Sequence, residues 1–158
     1  MPGGPPPPPT NPTQLGPFNW NPITFSNTGC QGQMQVTLFS NGAFNFNGTF
    51  YDPDFYDLDD SLAFGILSST GVLYTFTHTG SMHGWGDRWV EGGSQQDSWS
   101  NSGSNPAVTQ GWNDLCAGYH WQAQAGVNVD VGSLLSNVNV ILNAVQGVVK
   151  VVALIVAA

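Results

Sequence analysis

At 158 residues the chain has the length of one domain with an appendage, and enough material to bury a real core. Charged residues make up 8% of it, where ordinary soluble domains carry about 25%, and Arg88 and Lys150 stand against ten carboxylates for a formal net charge of −8. That balance excludes a basic patch able to neutralise nucleic-acid phosphates, and with it any electrostatic attraction to anionic lipid. A surface kept soluble by Asn, Ser, Thr, Gln and Gly points to an extracellular or cell-surface, assembly-forming protein.

Residues 1–17 contain five consecutive prolines, Pro5 to Pro9, with no basic start and no apolar central run. This composition predicts a solvated polyproline II leader and not a secretory signal. Residues 18–131 form the predicted β domain. Its first segment, FNWNPITF, reads as an edge strand because Pro22 cannot donate to a ladder. From Gln33 to Phe39, Met34, Val36 and Leu38 alternate with Gln33, Gln35 and Thr37 up to Ser40-Asn41-Gly42. Asn-Gly between alternating runs predicts a hairpin with positive φ at both central residues, and the return strand places Phe44, Phe46 and Phe50 on one face.

YDPDFYDLDD interrupts the alternation with Pro53 and five aspartates. A second hairpin is predicted from Ser61 to Leu67 and from Val72 to His78 around Ser68-Ser69-Thr70-Gly71, with Leu62, Phe64 and Ile66 facing Val72, Tyr74 and Phe76. From Thr79 to Asn113 the turn residues are dense, and only short strands near Met82 to Trp85 and Gln96 to Ser100 are expected. Tyr119 to Val131 alternates as one long strand. Residues 132–158 then read as one apolar helix capped by Ser133. Leu134, Leu135, Val138, Ile141, Leu142, Val145, Val148, Val149, Val152, Ile155 and Val156 fall on one stripe of it. The predicted fold is therefore mainly β, an antiparallel sandwich or open barrel with one long C-terminal amphipathic helix.

The stretches NGAFNFNGTFYD, YTFTHTGSMHG and DSWSNSGSNP, followed by the long strand and the apolar C-terminal segment, resemble a family of small uncharacterised β-rich proteins. That family carries a hairpin, an F-x-H-x-G turn and a W-x-N-x-G-x-N-P loop. The resemblance runs from about Gln33 to the end. It implies a shared fold and brings no activity, ligand or catalytic residue.

Candidate sites come from residue chemistry. Asp52, Asp54, Asp57, Asp59 and Asp60 offer hard oxygens to Ca²⁺, although no glycine and closing glutamate complete an EF-hand loop. His78, His83 and His120 match no zinc spacing and read as hydrogen-bonded core or turn histidines. Cys30 and Cys116 are either one disulfide closing a long loop or two buried thiols. Trp85, Trp89, Trp99 and Trp112, set among amides and hydroxyls, offer ring faces to a glycan or fill packing positions. No nucleophile elbow, phosphate loop or metalloprotease helix occurs, so no enzyme is expected and no cofactor beyond Ca²⁺ is considered.

The apolar stripe carries the functional expectation, because a ridge of that size must be covered. The first reading is a structural protein whose C-terminal helix drives self-assembly into an oligomer or filament. The alternatives are a membrane-active protein using the same helix, and a carbohydrate-binding module using the tryptophans. For the membrane alternative, twelve Val, Ile and Leu between Val138 and Ala158 contribute about −4 to −7 kcal/mol of insertion energy. Lys150 takes back about 2.5–3.5 kcal/mol, and Asn139, Asn143 and Gln146 take back more.

Overall fold

A computed structural model describes residues 11–26, 28–84, 95–146 and 149–157. The first hairpin consists of β2 (Gln31–Phe39) and β3 (Ala43–Tyr51), in the register Leu38↔Phe44, Val36↔Phe46 and Met34↔Gly48. Its turn differs from the expected one. Gly42 donates to the Phe39 carbonyl and has φ 92°, while Asn41 is not among the positive-φ residues, and its Oδ1 accepts from the Ala43 N–H. Ser40-Asn41 therefore form an ordinary turn followed by a left-handed glycine, a connection that needs only one residue at positive φ.

The second hairpin, β4 (Leu58–Ser68) and β5 (Val72–Met82), closes the same way, with Gly71 at φ 92° donating to the Ser68 carbonyl. Phe64 pairs with Phe76 and Ile66 with Tyr74, as the alternation predicts. Strand β1 (Gln14–Thr24) lies on the outside of β2. It begins inside the segment read as leader, with Leu15 buried opposite Leu38. Strand β6 (Gln96–Ser104) pairs with β3. Two short helices follow that the turn-rich composition concealed, α1 (Pro106–Gln110) and α2 (Trp112–Ala117). Asn105 caps α1 by accepting from the Ala107 N–H, and Pro106 fills the first helical turn.

Strand β7 (Tyr119–Val127) stops four residues earlier than expected, because Asn128 turns at φ 55°. Helix α3 (Val131–Gln146) follows, and its first turn hydrogen-bonds to the Asp130 carbonyl instead of a Ser133 cap. The chain then forms strand β8 (Val151–Ala157). The single long helix is thus corrected to helix plus strand. The Val/Ile-rich run beyond Gln146 favours extended backbone over helix.

The strands stack as two sheets, β1-β2-β3-β6 and β7-β4-β5-β8, in an open sandwich. All pairings are antiparallel except β5 with β8. Phe18, Val36, Leu38, Phe46 and Phe50 meet Leu62, Phe64, Ile66, Tyr74 and Phe76 between the sheets. Phe76 lies at the centre, edge-on to Phe44, Phe46 and Phe64 at 5.6 to 5.8 Å. Helix α3 is the crossover from β7 to β8 and covers the other face of the second sheet. There Leu134, Val138 and Leu142 bury against Ala63, Leu67 and Leu73.

Candidate functional site

Three strands bring a polar cluster into the sandwich. Asp60 stands on β4 opposite Gly80, His78 on β5 opposite Leu62, and Asp97 reaches in from β6 of the facing sheet. Asp97 can do so because Gly80 has no side chain: a Cβ there would overlap the Asp97 carboxylate. His78 Nε2 lies 2.7 Å from Asp97 Oδ2 and 3.6 Å from Asp60 Oδ2. The side chains of His78, Asp60 and Asp97 are 8%, 0% and 17% exposed. The Trp99 indole stacks on the imidazole at 4.0 Å and 11°, which fixes the plane of the ring.

The electrostatics follow from burial. Loss of solvent, followed by the hydrogen bond and charge of the neighbouring Asp97, pushes the Asp60 carboxyl well above the usual carboxylate range. Burial also pushes Asp97 upward, but hydrogen bonds from Asp60 and His78 outweigh it and leave Asp97 below its ordinary value. Burial, then the charge of Asp52, pushes the thiol of nearby Cys30 up to about 12, so Cys30 is a neutral packing group. Asp52 is itself fully buried and raised by burial.

Each of the other sequence-derived sites has a definite place. The five aspartates do not converge. Asp54 accepts from the Gly29 N–H, Asp52 from the Asp54 N–H, Asp57 from the Gly84 N–H and Asp59 from the Ser81 hydroxyl. Only Asp60 belongs to the one His/Cys/Asp/Glu group close enough to hold a metal ion among the described residues. Cys30 and Cys116 are free thiols, which corrects the disulfide alternative. Cys30 lies at the Asp60 end of β4, and Cys116 sits in α2, beside the β4 to β5 turn. Nine residues of strand at about 3.3 Å each separate those ends, far beyond the span of a disulfide. Trp99 and Trp112 are buried, Trp112 donating to the Pro12 carbonyl, so neither presents a ring face to solvent. Trp85 and Trp89 lie outside the described residues. His83 faces Asp57 at 3.6 Å, and His120 is exposed on β7.

The apolar stripe divides in two. Leu134, Val138 and Leu142 are covered by the protein's own sheet, with Leu135 and Val149 packed partly against them, and Ile141 is half-buried. Val145 is exposed and Val148 lies outside the described residues. On β8, Ile155 and Val156 pack partly on the core between the sheets, whereas Val151, Val152 and Leu154 are 55%, 53% and 55% exposed. No helix of the described residues is long and apolar enough to cross a membrane.

The four edge strands are protected unequally. Strand β1 has Pro17 and Pro22 and two register shifts, and β6 is built from Ser, Asn, Gln and Asp97 around Trp99 and Gly103. Strand β7 alternates with polar residues, and its Tyr119 and Trp121 contact Phe18 across the sandwich. Strand β8 has no proline, no charge and no polar side chain. Prolines, charges and bulges are what keep sheet edges from pairing with other chains; β8 lacks the first two, and its one register shift leaves Ile155 as the extra residue between Leu154 and Val156.

Sequence reasoning missed the grouping of Asp60, His78 and Asp97, yet a signal was present. The stretches YTFTHTGSMHG and DSWSNSGSNP carry His78 and Gly80, and Asp97 and Trp99, and the fold lays them against each other. No protein-family model, no curated protein and no solved structure matches this chain.

Proposed function

We propose that this is a non-enzymatic structural protein that self-associates through β8. The observation that carries this reading is the exposed apolar edge: Val151, Val152 and Leu154 each leave more than half of their surface in water on a terminal strand of the sheet. Such an edge presents both unpaired backbone groups and apolar side chains, the two features that template pairing with another chain.

The partner we assign is a second copy, joined by antiparallel pairing of β8 with β8. An edge that pairs with itself about a twofold axis closes the assembly at a dimer. Charge favours this contact. The chain as a whole carries −8, but β8 carries none of it, so pairing there brings no carboxylates together. In an antiparallel pair the two Lys150 residues, each just before its strand, stand at opposite ends, about 20 Å apart for a seven-residue strand. Like charges thus avoid facing each other directly.

Size-exclusion chromatography with light scattering tests the reading on the full chain and on Val152→Lys/Leu154→Lys. The full chain is expected as a dimer, and the double variant as a monomer with an unchanged near-ultraviolet circular dichroism spectrum. A full chain that stays monomeric across the concentration range overturns it.

A further inference from the structure

We infer that Asp60, His78 and Asp97 form a binding site for one divalent transition-metal ion of the zinc type. The ligand atoms, one from each residue, all lie within 4.8 Å of one another. Tetrahedral zinc with bonds of about 2.0–2.2 Å separates its ligands by about 3.3–3.6 Å. The His78 Nε2 to Asp60 Oδ2 distance of 3.6 Å already meets that spacing. The 2.7 Å between Nε2 and Asp97 Oδ2 is a hydrogen bond that opens by about 0.6 Å when an ion takes its place.

The innermost side chain has no hydrogen-bond partner from outside the cluster. Asp60 is fully buried, and no N–H or hydroxyl from outside the cluster donates to its oxygens. Buried polar groups are ordinarily satisfied, so a buried carboxyl whose only polar neighbours are a histidine and a second carboxylate calls for a cation. No described Lys or Arg fills that role, since Lys150 lies by the Gly71 turn at the far end of β5.

Charge and donor type select the ion. A dication with two carboxylates and a neutral imidazole is a net neutral group, the only charge state that burial tolerates cheaply. An imidazole nitrogen among two carboxylates suits zinc better than Ca²⁺ or Mg²⁺, which prefer oxygen donors throughout. Coordination uses one oxygen of each carboxylate and the Nε2 lone pair, which places the imidazole proton on Nδ1. Stacking on Trp99 holds the ring in the ligating plane. Three protein ligands leave a fourth position for water, the pattern of open zinc sites.

Titration calorimetry of the chelator-stripped full chain with Zn²⁺ tests the site, alongside the visible absorption band of Co²⁺ in its place. The wild type and His120→Gln are expected to take up one equivalent. Asp60→Asn, Asp97→Asn and His78→Gln are expected to bind about a hundredfold more weakly or not at all. The three ligand variants provide redundancy if one fails to fold, and circular dichroism identifies such a variant. The inference fails if stripped wild type takes up no Zn²⁺, or if folded Asp60→Asn and His78→Gln bind it as the wild type does.

Discussion

The Asp60 to Asp97 end of the sandwich and the β8 edge are opposites. At the first, two carboxyls and an imidazole are shut away from water in a chain that has polar side chains to spare for its surface. At the second, three large apolar side chains are left in water in a chain that buries Phe46, Phe64 and Phe76 completely. Exposed single apolar residues are commonplace, and so are polar surfaces; a buried carboxyl and a contiguous apolar edge are not. Departures from local rules concentrate where a protein meets something else, and here the two departures point to different things, an ion at one and another chain at the other.

The C-terminal segment allows the sharpest version of that contrast, because helix α3 and strand β8 are both rich in Val, Leu and Ile and differ in how they are covered. Leu142→Ala removes a side chain buried against the second sheet and is expected to cost about 2–5 kcal/mol in urea unfolding. Leu154→Ala removes an exposed side chain of β8, and its effect on the unfolding of the monomer should stay within about 0.5 kcal/mol. Equal costs for the two would erase the distinction between a covered half and a docking half.

Between those extremes falls the buried acid. A carboxyl that keeps its proton in the fold but loses it when the chain unfolds stabilises the fold fully below its ordinary value of 3.8, and that contribution is lost as pH rises toward about 8. Measured with chelator present, wild-type stability should fall across that window by at most about 1.4 kcal/mol per pH unit. Asp60→Asn, which carries no titrating group there, should flatten the profile and be the more stable protein at neutral pH. A wild-type profile already flat between pH 4 and 8 would mean that Asp60 does not hold its proton in the fold.

Much of the fold is legible from alternation alone. Met34, Val36 and Leu38 against Phe44 and Phe46, and Leu62, Phe64 and Ile66 against Tyr74 and Phe76, assign two hairpins, because period-two patterning with a glycine turn has few other solutions. The C-terminal segment was harder to read. Val148 to Val156 fits a helical stripe and an apolar strand equally well, and a run of valines is decided by length and neighbours more than by period. Helix α1 was visible in Asn105-Pro106, a cap followed by a first-turn proline, but was masked by the surrounding serines and glycines. The polar cluster was out of reach for a different reason. Asp60 and Asp97 are 37 residues apart and belong to facing sheets, and only the pairing of β4 with β5 and of β3 with β6 sets the distance between them.

The pairing of β8 is open to a measurement that sees its backbone directly. Amide hydrogen exchange, followed by mass spectrometry or by resonance for Val151 to Ala157, can be recorded over a hundredfold range of protein concentration. Half of the β8 amides face away from β5, and pairing with a second copy would slow their exchange as concentration rises, while amides in β2 and β4 keep constant rates. Rates in β8 that do not change over that range would contradict the account, leaving the strand an unpartnered edge.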